Sequence, residues 1–237
     1  MRSLRHRALA AVLGGVLVSA AGGPVAAAEG VSPFIVGGSE VSQAPWAASV
    51  VGSDGRFCSG TLIAPTWVLT AKRCAGAEAF TVRTGTVRSD SGGTTYRAVD
   101  VVTASRADLA LLRLPVKAAG TPARLADAPP AVNDKANAFG WGATRMENGA
   151  VRSPVLKVAE VVIDKLPSGG CEIGTYGAQI CSWANDGGTW AGDEGGPLFL
   201  GDRVVGVNSS YDREGYGYQT HASVTDNRGW IRDVAGV

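Results

Sequence analysis

Trp67-Val68-Leu69-Thr70-Ala71-Lys72-Arg73-Cys74 is a short apolar run ending on two cations and a cysteine, and Cys58-Ser59-Gly60-Thr61-Leu62-Ile63 precedes it as a second such run. Residues of these types favour pleated, half-buried backbone. The pair therefore predicts two short strands, Arg56 to Ile63 and Thr66 to Ala71. Upstream, the β-rich stretch Trp46 to Val51 runs into Ser53-Asp54-Gly55, a hairpin turn signal. Downstream, strands around Phe80 to Val87 and Thr94 to Val102 flank the turn Ser89-Asp90-Ser91-Gly92-Gly93. The Pro- and Ala-rich stretch Pro115 to Ala131 predicts a linker. Leu156 to Ile163 alternates like a strand. A glycine cluster, Gly192-Asp193-Glu194-Gly195-Gly196-Pro197, leads into Leu198-Phe199-Leu200. Abundant glycine and modest aromatic content suit short strands joined by many turns.

With 237 residues, 45% of them hydrophobic, the chain buries one sizeable core or two small ones. Its first 28 residues predict a secretory signal peptide: Arg2, Arg5 and Arg7, an apolar run from Ala8 to about Ala21, then Ala26-Ala27-Ala28 as a small-residue cleavage site. Spanning a bilayer takes about 20 apolar residues, and Gly14-Gly15 and Ser19 interrupt this shorter run. The expectation is a secreted protein with no membrane association once the signal is removed. The leader carries three arginines and no acid, so its removal leaves a slightly acidic chain without a block of like charge. That balance argues against nucleic-acid binding through phosphate neutralisation. The four cysteines of an exported chain read as paired rather than metal-bound. No metal or cofactor is expected.

In order along the chain, Ile35-Val36-Gly37-Gly38, Cys58 to Ile63, Trp67 to Cys74, Asp108-Leu109-Ala110-Leu111-Leu112, Gly140-Trp141-Gly142 and Gly192 to Pro197 resemble the motifs of the trypsin/chymotrypsin-like serine protease family. Six of the eight positions from Trp67 to Cys74 match the family's WVLTAAHC. The resemblance runs from Ile35 to the C-terminus. It implies an all-β fold of two packed six-stranded antiparallel β-barrels, residues 35–130 (with the linker) and 131–237, together forming one domain with a short C-terminal helix at Trp230-Ile231. A short pro-segment, residues 29–34, would precede it. The implied disulfides are Cys58 with Cys74 and Cys171 with Cys181. A third common pair is missing, because Trp190 stands at its first position. A monomer is expected.

The same resemblance implies a site with two substitutions. Arg73 holds the position of the catalytic histidine and Glu194 that of the nucleophilic serine, whereas the orienting aspartate is kept as Asp108. The amides of Gly192 and Glu194 would form the oxyanion hole. Ile35, if freed by cleavage after Phe34, would pair its ammonium with Asp193. Gly188, Ser209, Ser210 and Tyr211 would line the former specificity pocket, with Tyr211 covering its mouth. The family reaction needs a hydroxyl nucleophile and a base that cycles protons near neutral pH. A carboxylate has no hydroxyl, and a guanidinium stays protonated below a pH of about 12. His221 reads as a satisfied strand residue and Lys72 as a solvated turn residue, so neither supplies the base. Arg73 is expected to bridge Asp108 and Glu194 as a charged lock. The resulting expectation is a secreted, proteolytically inactive homologue that works by binding an extracellular protein, a protease inhibitor or a polymer. The alternatives are a serine endopeptidase, or a carboxylate-based hydrolase using Glu194 and Asp108, which a cation between them disfavours.

Overall fold

The computed structural model describes residues 38–146, 150–167, 171, 177–210 and 217–237. Ile35, Tyr211, the signal peptide and the pro-segment lie outside the described residues.

The first half of the chain carries β1 (Ser39–Glu40), β2 (Ala47–Gly52), β3 (Phe57–Ala64), β4 (Trp67–Thr70), β5 (Phe80–Thr84), β6 (Thr94–Arg97), β7 (Asp100–Thr103) and β8 (Ala110–Arg113). The second carries β9 (Arg124–Leu125), β10 (Lys135–Gly140), β11 (Ala143–Met146), β12 (Ala150–Arg152), β13 (Lys157–Lys165), β14 (Gln179–Ala184), β15 (Pro197–Leu200), β16 (Arg203–Ser210) and β17 (Tyr218–Ser223), then helix α1 (Arg228–Ala235). Alternation of side chains sets which face is buried: along β13 every second residue from Lys157 to Ile163 is buried.

The fold is all-β, with one short C-terminal helix. Strands β13-β10-β15-β16-β17-β14 form a ring, closed where β14 pairs back onto β13 from Val161↔Ala184 to Lys165↔Cys181. The other sheet, β6-β5-β2-β3-β4-β8-β7, curls into a half-barrel whose edge strands do not pair. The single strand expected over Thr94 to Val102 is the reason. It bends at Ala98-Val99, whose amides donate to the Phe80 and Arg113 carbonyls at 3.0 and 2.8 Å, so its first half follows β5 and its second half β8. Two straps cross to the closed ring: β1 pairs with β13, and β9, inside the predicted linker, pairs in parallel with β16.

The sheets pack through an apolar seam beside the candidate site. Leu69, Leu109 and Leu111 meet Phe199, Val204, Val207 and Ile231 of α1. Each fully buried leucine contributes about 1.5–3 kcal/mol. The seam fixes the end of β4, the entry to β8, the entry to β15 and the end of β16 beside one another, and the candidate site is built from these four chain segments.

Candidate functional site

Arg73 lies in the 3-10 turn Lys72–Cys74 that follows β4, and the Cys58–Cys74 disulfide ties that turn to β3. Asp108, 1% exposed, lies two residues before the start of β8. Its Oδ1 accepts the Arg73 backbone N–H at 2.9 Å. Its Oδ2 accepts Arg73 Nε at 2.6 Å and the Ser209 hydroxyl at 2.7 Å. Two strands of one sheet and one of the other thus converge on a single buried carboxylate. Lys72 turns the other way and donates to the Ala104 carbonyl at 2.9 Å, so it is a half-buried anchor and not a solvated turn residue.

Glu194 does not meet Arg73. Gly192 and Gly195 stand at φ +94° and +83°, a left-handed backbone that glycine adopts without steric cost. This tight turn aims the Gly192 N–H back at Glu194, whose Oε2 accepts it at 2.6 Å. No ion pair joins Arg73 to Glu194 within 4 Å among the described residues, so the expected bridge over two carboxylates does not form. The reason is competition: Asp108 already takes the Nε edge and the amide of Arg73, while Glu194 finds amides on its own loop. Burial pushes the Glu194 carboxyl up, opposed by its own amide, that of Gly192, and the charges of Arg73 and Arg56. The Glu194 carbonyl in turn accepts Ser59 N–H at 2.9 Å and pins the loop to β3.

Asp193 is fully buried. Gly142 N–H and Trp190 N–H donate to its two oxygens at 2.7 and 2.8 Å. Gly140 and Gly142 leave it room, since a Cβ at either would lie within 2.3 Å of its carboxylate oxygens. Burial pushes its carboxyl up to about 7 against these two amides, and the Glu194 charge adds to the rise. Arg152 opposes it. That guanidinium lies 5.4 Å from the Phe57 ring centroid and 6.0 Å from that of Trp141, donates to Ser49 Oγ at 2.5 Å, and is pulled down to about 10, chiefly by burial. The sign for stability follows from the raised value. A carboxyl harder to ionise folded than unfolded leaves stability intact below pH about 4, and costs stability progressively as pH rises to about 7. Melting temperatures of the uncut wild type should therefore fall over this interval relative to Asp193→Asn. Parallel profiles would contradict the assignment.

Where the resemblance expects a specificity pocket, Gly188 is buried and Thr189 is capped by Gln219, a residue that sequence reading missed. Gln219 Oε1 accepts the Thr189 N–H at 3.1 Å, and Thr189 Oγ1 donates to Asn208 Oδ1 at 3.2 Å. Ser210 ends β16 half-buried. The only sequence signal for Gln219 was its polar character at an inward position of a strand. His221 sits in the ring interior with Nε2 2.9 Å from Ser182 Oγ, and burial pulls it down to about 3, so it stays neutral. The second disulfide, Cys171–Cys181, anchors β14. Among the described residues no three His, Cys, Asp or Glu side chains cluster as a metal site, and no helix is long and apolar enough to cross a membrane.

The family model for trypsin matches residues 35–231. Trypsin of Saccharopolyspora erythraea is 32% identical over 196 residues, covering 74% of this chain and 86% of that one. Trypsin 5G1 of Aedes aegypti is 31% identical over 230 residues, covering 86% and 85%. Among solved structures, the scabies mite inactivated protease paralogue S-D1 superposes with a TM-score of 0.75 at 18% identity, over 84% of this chain and 97% of that one. Human heparin binding protein superposes with a TM-score of 0.72 at 25% identity, over 85% and 96%.

Proposed function

The chain belongs to the trypsin family of serine proteases, and from its altered cleft we propose that it is a secreted, proteolytically inactive member that acts by binding. One observation carries this reading: the carboxylate of Glu194 sits on the Gly192 amide, where an acyl-transfer enzyme would hold the negative charge that develops on its substrate. The position is thus filled by a group that is itself an anion and has no hydroxyl to attack with. Arg73, at the base position, has its Nε committed to Asp108, and a guanidinium is a donor-only group with no lone pair to accept a proton from a nucleophile. In subtilisin, loss of the nucleophile or the base alone costs about 10⁶ in turnover, and both roles are vacant in this cleft. Asp108 is unsuited to replace either, because both of its oxygens are engaged and it is buried. Disulfides and the predicted signal peptide support an exported chain. One relative of like fold is named for binding heparin rather than for cleavage.

Incubation of the purified protein with a mixed library of quenched fluorogenic peptides tests the proposal. The expected result is no hydrolysis above buffer at any P1 residue. Turnover that scales with protein concentration and disappears in Glu194→Ala would overturn it.

A further inference from the structure

Arg73 spends one edge of its guanidinium on Asp108, and neither Nη takes part in a hydrogen bond among the described residues. Arg56, exposed at the entry to β3, donates one Nη to the Arg73 carbonyl at 2.9 Å and forms no ion pair among the described residues. Both arginines line a cavity of about 270 Å³ with Phe57, Ala150, Gly192 and Glu194. That is several times the roughly 30 Å³ that one water molecule occupies. The cavity therefore joins two guanidinium groups with unused donors to an amide that already binds a carboxylate.

We infer that this cavity is a carboxylate receptor for an acidic segment of a partner protein, and that Glu194 is its resident, displaceable occupant. The inference rests on the binding role proposed above. Its chemistry is that of charge-assisted hydrogen bonds: a planar carboxylate matches the donor fork of arginine, and such pairs are stronger than neutral ones. Glu194 reports the fit from within, since its own carboxylate makes a 2.6 Å bond to the Gly192 N–H. It also sets the threshold. Arg73 is balanced by Asp108, so Arg56 faces Glu194 with little net charge left over until Glu194 moves aside. A partner carboxylate takes the place of Glu194 on the amide and gains the free ends of Arg56 and Arg73. No covalent bond is made or broken in the exchange. The carboxylate can come from an Asp or Glu side chain or from a chain terminus.

The test is fluorescence anisotropy with three labelled peptides: N-acetylated, C-amidated Gly-Gly-Glu-Gly-Gly, its Gln counterpart, and the Gln peptide with a free C-terminus. Each is titrated with wild type, Glu194→Ala and the isosteric Glu194→Gln, all checked for unaltered melting. Removing the occupant is expected to tighten the Glu peptide by about tenfold or more, the size of one charge-assisted bond, and to leave the amidated Gln peptide unchanged. Adding Arg56→Gln should abolish the gain. A gain with the free-terminus peptide alone would support the receptor and assign it to chain ends. Equal binding of all three peptides, absence of binding to Glu194→Ala and Glu194→Gln, or a gain that survives Arg56→Gln would overturn the inference. Such a failure is distinct from failure of the inactive reading, because the hydrolysis assay does not depend on Arg56.

Discussion

Arg73→Ala is expected to lower stability by about 3 kcal/mol, the low end of the cost of breaking a buried ion pair from one side. The side chains differ in exposure, 32% for Arg73 and 1% for Asp108, so the substitution strands the partner that cannot reach water. Two donors survive it, the amide of residue 73 and the Ser209 hydroxyl, and these hold the cost at the lower end. For a chain of this size each kcal/mol shifts the melting temperature by about 2–4 °C, so a fall of about 10 °C is expected. Adding Asp108→Asn removes the stranded charge and should recover part of the loss, a coupling of about 1–3 kcal/mol in a double-mutant cycle. A single substitution that leaves the melting temperature within about 2 °C of wild type would mean that the pair is ornamental.

The larger effect concerns chemistry. The double variant Arg73→His, Glu194→Ser is expected to be labelled at residue 194 by serine-directed phosphonate probes, and the wild type is expected to stay unlabelled. Three parts of the machinery remain in place for it. Asp108 stands within hydrogen-bond reach of residue 73 and is itself held by Ser209. The left-handed turn at Gly192 and Gly195 aims the Gly192 N–H at the side chain of residue 194. The Ser59 and Glu194 backbone bond pins the loop to β3. Removing the glutamate also frees the Gly192 N–H to receive the developing oxyanion. Either single substitution should remain unlabelled, since nucleophile and base act as a unit.

Much of the fold was legible from local pattern. The strands expected over Arg56 to Ile63 and Thr66 to Ala71 correspond to β3 and β4, and the alternation expected over Leu156 to Ile163 falls in β13. Strand existence follows from side-chain period, which the chain states residue by residue. The break of one expected strand into β6 and β7 was not legible, because it depends on Phe80 and Arg113 offering carbonyls to successive amides from different sheet positions. The same division runs through the site. The convergence of Arg73 and Asp108 follows from motif order, whereas the orientation of Glu194 is a competition between a cation and an amide at a distance no spacing encodes. Gln219 on Thr189, and Arg152 between Phe57 and Trp141, belong to this second kind. They arise where segments from distant parts of the chain meet, and their polar partners are chosen by geometry and burial.

The most direct measurement is the intact mass of the wild-type protein after prolonged exposure to a serine-directed phosphonate probe, run beside the Arg73→His, Glu194→Ser protein. An unmodified wild-type mass with a single adduct on the double variant is the predicted result. A stoichiometric adduct on the wild type, mapping to the cleft, would contradict the account.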